Sequence, residues 1–161
     1  MHTLRPAHAD DRNAVWDIFR EVVAEGTTYA YPSDTPRSEA LRLWMEVPQA
    51  CYVAERDGQV RGTYYLKPNQ PGRGAHVCNA GYMVHPAARR QGIGRALCAH
   101  SLDEARRRGY EAMQYNLVVA TNEGAIRLWR EMGFEIIGTL PRAFDHAEHG
   151  HVDAHVMYRL L

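Results

Sequence analysis

Residues Arg89-Arg90-Gln91-Gly92-Ile93-Gly94-Arg95-Ala96 carry the clearest chemistry in the chain. Gly92 and Gly94 stand just before a helical pattern, so the backbone is free of Cβ crowding and its N–H groups turn readily into one concavity. The start of a helix brings partial positive charge to that concavity, and Arg89, Arg90 and Arg95 reinforce it. A phosphate-bearing ligand suits such a turn. The dinucleotide fingerprint G-x-G-x-x-G is absent because position 97 is Leu, and no Gly-Lys-Ser/Thr makes a Walker A loop.

Other reactive side chains point less sharply. His146, His149, His151 and His155 crowd the C-terminal end, a composition that gathers metal ions. Their expected setting is a flexible hairpin loop between the last two strands, so no functional metal is expected. His76 carries an imidazole that titrates near neutrality and is a conceivable base, with a surface or structural role the plainer expectation. Cys51, Cys78 and Cys98 are odd in number, lack C-x-x-C spacing and sit in apolar runs, which predicts buried free thiols.

The scaffold for these groups follows from length and patterning. A chain of 161 residues fits a single domain, residues 1–161, with a sizeable core. Hydrophobic content of 45% and charged content of 24% are ordinary for a soluble globular protein. Lys+Arg and Asp+Glu balance at 19 each, so the net charge gives no footprint for nucleic acid or a membrane surface. Nearly all the basic residues are arginine; Lys67 is the only lysine. No basic segment followed by an apolar stretch opens the chain and no run of 18 apolar residues occurs, so a cytoplasmic protein is expected.

Thr3 to Pro6 reads as a first strand. Ala9-Asp10 offers an N-cap, Val15, Ile18, Phe19 and Val22 recur at helical spacing, and Gly26 ends that helix. Thr27 to Pro36 reads as a loop, and Leu41, Trp44 and Met45 mark a short second helix stopped by Pro48. Ala50 to Glu55 and Val60 to Lys67 are strands joined at Asp57-Gly58, a strong hairpin signal. After a turn-rich loop over 68–74, His76 to His85 is the next strand. The helix from Gly92 turns Ile93, Ala96, Leu97 and Ala105 inward and closes with Arg106-Arg107-Arg108-Gly109. Met113, Tyr115, Leu117 and Val119 alternate as a strand, and Ala125, Leu128, Trp129 and Met132 share a helix face that ends at Gly133. Phe134 to Thr139 and Val152 to Leu160 close an order β-α-α-β-β-β-α-β-α-β-β, an α/β domain with a mixed sheet.

Taken with their flanks, these segments resemble the GCN5-related N-acetyltransferase (GNAT) family over essentially the full length. The matching pieces are Val84-His85-Pro86, Arg89-Arg90-Gln91-Gly92-Ile93-Gly94, Asn122 with Ala125, and Leu128-Trp129-Arg130-Glu131-Met132-Gly133-Phe134. The resemblance implies a mostly antiparallel sheet of six or seven strands with a central splay, flanked by four helices. It implies acetyl-coenzyme A as cosubstrate and an amine as acceptor. Backbone groups at Met83 and Val84 would pair with the pantetheine arm like another strand, amides from Arg90 through Ala96 would cradle the pyrophosphate beside Arg89, and Asn122 would contact the pantetheine region. Asn122 also suits a plain helix N-cap. The resemblance places Tyr29 and Tyr31 over the acceptor, with Tyr65 the member of the Tyr64–Tyr65 pair assigned to the site, since alternation lets only one face it. It also makes a homodimer, joined through the last strands, the expected assembly.

The chain departs from the family pattern twice. Many members carry a tyrosine in Leu-Tyr-x-x-x-Gly-Phe that is thought to protonate the leaving thiolate, and here that residue is Trp129, which has no acidic proton. Many members also place a glutamate on the strand before the valine, where this chain has Asn79. No carboxylate occurs from Arg61 through Leu102. An amide is no base at neutral pH, but it orients an amine, a carboxylate or a water. His76-Val77-Cys78-Asn79-Ala80-Gly81, Tyr115-Asn116-Leu117-Val118 and Lys67-Pro68-Asn69 further resemble a fungal subgroup that acetylates proline-analogue imino acids such as azetidine-2-carboxylate. That resemblance assigns Asn79 and Asn116 to catalysis, with Asn122 serving the same site. A small amino acid would bring its own carboxylate, which an acidic pocket would repel. A protein or peptide N-acetyltransferase, and a catalytically silent acyl-CoA-binding module, are the alternatives.

Overall fold

The computed structural model describes residues 1–161. Its strands are β1 (Thr3–Pro6), β2 (Ala50–Arg56), β3 (Gln59–Pro68), β4 (Val77–Val84), β5 (Ala112–Val119), β6 (Glu135–His146) and β7 (Gly150–Leu160). Its α-helices are α1 (Arg12–Glu25), α2 (Arg37–Leu41), α3 (Ile93–Arg107) and α4 (Glu123–Glu131). The expected element order is the observed one. The seven strands form one sheet in the order β1-β2-β3-β4-β5-β7-β6. Every neighbouring pair is antiparallel except β4 and β5.

Strand alternation sorts the core into two layers. On one face, Tyr64, Leu66, Cys78, Ala80, Met113 and Tyr115 pack with Ile93, Leu97 and Cys98 of α3 and Ile126 of α4. On the other, Val53, Tyr65 and Met83 pack with Val15, Ile18, Phe19 and Val22 of α1 and with Ala40, Leu41 and Trp44. Trp44 is fully buried, and its indole N–H donates to Thr63 Oγ1 at 3.1 Å, so the largest apolar group of that layer is also satisfied. No helix is long and apolar enough to cross a membrane.

The sheet opens between its two central strands. β4 and β5 pair only at Val77–Ala112 and Cys78–Met113 and then diverge. A bulge between Tyr115 and Val118 interrupts the pairing of β5 with β7 on its other side. A bulge bends its strand, and this one lies in β5 beyond its last residue paired with β4.

The C-terminal hairpin differs from expectation. β6 continues past Thr139 to His146, and the segment expected to be a flexible loop is a tight turn over Ala147–His149. Ala147 N–H donates to Gly26 C=O at 3.0 Å, which docks the turn on the end of α1. The buried His146 accepts from the N–H groups of Glu148 and His149 through Nδ1, at 3.1 and 3.3 Å. That ring is a cap for the turn, and no three His, Cys, Asp or Glu side chains converge as metal ligands. The cysteines are free, with Cys78 and Cys98 buried. Burial pushes the Cys51 thiol up to about 11 and Cys78 up to about 12, so both are neutral.

One charged cluster ties the start of the chain to the sheet. Arg5 donates to both carboxylate oxygens of Asp11, at 2.8 and 2.9 Å, and to Glu55 Oε2 at 2.7 Å. Asp11 also accepts from His8 N–H at 2.7 Å. The Arg5 guanidinium holds the Asp11 carboxyl below its ordinary value. A depressed carboxylate stabilises the fold above its unfolded value, about 4, and that stabilisation is lost as pH falls through the folded value. Asp11→Asn is therefore expected to cost about 1–3 kcal/mol at pH 7. In urea titrations at several pH values, the gap between wild type and variant should narrow below about pH 4.

Candidate active site

A single cleft of about 830 Å³ runs through the opening in the sheet. It is lined by the Arg-Gly turn, by the loop carrying Tyr29 and Tyr31, by β4 and β5, and by α4. Arg90 has φ 62 and Gly92 has φ 78, so the chain turns twice through the left-handed region before α3 begins. Such a turn gathers successive N–H groups on its concave side. Ile93, Gly94 and Arg95 occupy the first turn of α3, where N–H groups have no partner four residues back. Ala96 differs from expectation: its N–H donates to Gly92 C=O at 3.1 Å. Gln91 lines a small separate pocket with Arg56 and Arg61.

The three arginines are not equivalent. Arg89 pairs with the Glu25 carboxylate at 2.8 Å, and Arg95 pairs with Glu131. Arg90 makes no ion pair and is the guanidinium left free at the turn. The sequence could not show this, because the partner acids come from α1 and α4.

Along β4 the backbone alternates between its neighbours. His85 N–H donates to Arg61 C=O at 2.8 Å, and Met83 lies opposite Thr63 in the β3 register. The N–H and C=O of Met83 therefore belong to the β3 ladder, and those of Tyr82 and Val84 face the cleft. This corrects the expected pairing through Met83 and Val84. Met83 lines the cleft, and the second cleft-facing backbone pair is that of Tyr82, whose N–H and C=O are bonded to the Tyr29 hydroxyl.

The two faces of the cleft are both aromatic. On the α4 face, Trp129 lies against Tyr82 and Tyr115, with ring centroids 5.0 and 5.2 Å apart. Trp129 is half-buried, so it serves both as packing and as wall. The hydroxyls of Tyr82 and Tyr115 turn inward, 2.9 Å from each other, and Tyr82 also meets Ser101 Oγ at 2.6 Å. On the opposite face, Tyr29 stacks on Tyr31 at 5.8 Å, and Tyr65 lies edge-on to Trp44 at 4.8 Å. Burial raises the phenols of Tyr29, Tyr31 and Tyr65, which remain protonated at neutral pH.

The asparagines are placed together only in part. Asn79 is buried; its Oδ1 accepts from Tyr65 O–H at 2.9 Å and its Nδ2 donates to Gln114 C=O at 2.9 Å. It thus bridges β4 to β5 just beyond their last paired residues. Asn116 is exposed in the β5 bulge, donating to Asn69 Oδ1 at 2.7 Å and accepting from Gln114 Nε2 at 2.9 Å. Asn122 caps α4, accepting weakly from Ala125 N–H at 3.4 Å, and also lines the cleft. His76 is exposed at the start of β4, outside the cleft lining. No Asp, Glu or His lines the cleft, and its charged residues are Arg89, Arg90 and Arg95.

A model described as the Acetyltransferase (GNAT) family matches residues 14–134. The N-acetyltransferase aca1 of Schizosaccharomyces pombe is 44% identical over 96 residues, which cover 59% of this chain and 46% of that protein. The chain therefore spans less than half of that relative. The L-methionine sulfoximine/L-methionine sulfone acetyltransferase of Salmonella typhimurium is 28% identical over 145 residues, covering 87% of this chain and 84% of that protein. The solved structure of a GCN5-related N-acetyltransferase from Kribbella flavida is 46% identical, with a TM-score of 0.95, covering 99% of this chain and 98% of that one.

The placement of Asn79 depends on a glycine. A Cβ at Gly81 would lie 2.2 Å from Tyr65 Cε2, within the ring that donates to Asn79. Gly81→Ala must therefore move Tyr65, and an overpacked core of this kind costs about 1–3 kcal/mol. A fall in the urea midpoint at unchanged slope is the expected result; an unchanged midpoint would contradict the packing described.

Proposed function

The chain belongs to the GNAT acetyltransferase family, whose acyl donor is acetyl-coenzyme A, and from that premise we propose direct transfer of the acetyl group to the amine of a small amino or imino acid. The observation that carries this reading is the cleft itself: one continuous path from a phosphate-suited turn to an aromatic wall, with no carboxylate along it. An acceptor that carries its own carboxylate meets no like charge there. The relative from Salmonella typhimurium, named for two amino-acid analogues, supports the same substrate class.

The donor's pyrophosphate would lie at the N–H groups of Ile93, Gly94 and Arg95, with Arg90 as the free counter-charge. Its extended arm would pair with Val84 along β4. The neutral amine attacks the thioester carbon, the N–C bond forms, and the C–S bond breaks with its electron pair leaving on sulfur. The amine's surplus proton ends on the thiolate through water. No base in the cleft removes the first proton, because the amides of Asn79 and Asn116 do not titrate and the phenols are held protonated. We assign Asn79 to setting the strand gap, and Asn116 to orienting the acceptor from the rim.

Lys67 gives the acceptor's carboxylate a place. It lies opposite Asn79 in the β3–β4 register and on the same side of β3 as Tyr65, with Nζ 5.2 Å from the Tyr65 ring centroid. It forms no ion pair. A homodimer joined along the free edge of β6 is also proposed, supported by Ile137 and Leu140, 59% and 42% exposed on that strand.

Saturating acetyl-coenzyme A is expected to raise the melting temperature, since ligand at 100 Kd stabilises by about 2.7 kcal/mol. Thiol release across amino acids, imino acids, polyamines, antibiotics and peptides then separates an enzyme from a silent binder. With the preferred acceptor, kcat/KM should climb about tenfold per pH unit up to the amine's own ionisation. A plateau well below it would reveal a base that the cleft lining lacks.

Lys67→Met is expected to raise KM about tenfold for an acid acceptor, the loss of about 1.4 kcal/mol of charge-assisted binding. KM for the matching carboxamide should not change. Equal effects on acid and amide would remove Lys67 from recognition.

A further inference from the structure

The cleft-facing backbone of Tyr82 is already occupied. Tyr29 Oη accepts from Tyr82 N–H at 2.7 Å and donates to Tyr82 C=O at 2.6 Å. One hydroxyl thus fills both positions that a neighbouring strand residue would fill, at the level where β5 has moved away. The next cleft-facing pair toward the Arg-Gly turn is that of Val84. Tyr29 comes from the loop over the opposite face, where its ring stacks on Tyr31 and lies edge-on to Trp44 at 5.8 Å. It therefore joins the aromatic wall of one half of the cleft to the backbone of the other.

A donor arm entering from the α3 end meets Val84 first and Tyr82 next, about 7 Å further along the strand. An arm that paired with Val84 alone would leave the Tyr82 position unused. An arm that continued would meet the Tyr82 N–H, a donor suited to the oxygen of its thioester, and that N–H is bonded to Tyr29. We propose that Tyr29 is a positioning residue that closes the passage between the two halves of the cleft and yields Tyr82 N–H when the acyl donor arrives. Yielding frees the loop over residues 27–36, so the acceptor wall takes its working shape only on donor-loaded protein. The proposal rests on acetyl-coenzyme A being the donor.

The chemistry of the exchange is balanced. Tyr82 N–H passes from one oxygen acceptor to another, and the Tyr29 hydroxyl keeps its proton and passes from Tyr82 C=O to water. The donor must displace one good hydrogen bond before it gains its own. Removing the hydroxyl removes the competitor and leaves the ring to stack on Tyr31 and Trp44.

Tyr29→Phe is the direct test, read by calorimetric titration with acetyl-coenzyme A. The variant is expected to bind the donor about 2- to 10-fold more tightly, the equivalent of one net hydrogen bond. An unchanged or weaker affinity overturns the proposal. Hydrogen exchange on the wild type supplies a second readout that does not depend on the variant folding. Donor binding should lower protection of residues 27–36 while raising it at the start of α3. Increased or unchanged protection of residues 27–36 also overturns the proposal. No binding by the wild type would sink the cofactor reading along with this one, whereas tight binding with equal affinity in Tyr29→Phe sinks this one alone.

Discussion

The parting of β4 from β5 is the constraint on which the rest of the structure depends. Two parallel strands at the centre of a sheet would ordinarily exchange hydrogen bonds along their length, and here they do so over two residue pairs only. The N–H and C=O groups beyond that point must find other partners or face water. Two devices answer the requirement, and one position is left open. The Asn79 amide spans the gap at its narrow end, the Tyr29 hydroxyl covers Tyr82 at mid-height, and Val84 is left facing the cleft. The opening is thus a set of backbone positions graded from filled to free, and the free one lies nearest the phosphate-suited turn.

That gradient explains why aromatic residues dominate both sides. A gap in a sheet exposes the edges of two core layers, and large rings close such edges while leaving a channel. Trp129 lies over Tyr82 and Tyr115 on one side, and Tyr29, Tyr31 and Tyr65 form the other. Trp129 stands where the family resemblance led to the expectation of a tyrosine, and the ring it supplies fits this wall without a hydroxyl. Gly81 belongs to the same logic, because only a residue without Cβ lets the Tyr65 ring lie against β4 and reach Asn79.

Much of this was legible in the sequence, and the limits have a physical basis. The Arg-Gly turn, the hairpin at Asp57-Gly58 and the helix ends at Gly26 and Gly133 depend on residues a few positions apart, so local spacing reveals them. The register of β4 is set by β3 and could not be read locally, which is why Met83 was expected where Tyr82 faces the cleft. The partners of Arg89 and Arg95 lie 64 and 36 residues away, and those of the Tyr29 hydroxyl lie 53 away. The reach of β6 through Pro141 was hidden for a different reason. Its pairing with β7 shifts between Leu140 and Phe144, and Arg142 adopts φ 52, so the alternation that signals a strand is broken where the strand continues.

The absence of a titrating carboxylate or imidazole from the cleft lining bears on what kind of catalyst such a site makes. A base near neutrality would have to be buried beside the thioester, and a buried ionised carboxylate would itself need a partner. A cleft of phenols, indole and amides avoids that cost. Under the proposed function, catalysis then depends on placing a neutral amine against the thioester, with the acceptor's own ionisation setting the fraction that reacts. Selectivity among amines would come from the charge of Lys67, which stands against the cleft-lining Tyr65, and not from a residue that handles protons. In such a site the donor half is fixed by backbone geometry, which tolerates little change. The acceptor half is made of side chains on a loop, where substitution re-tunes the substrate without disturbing the gap.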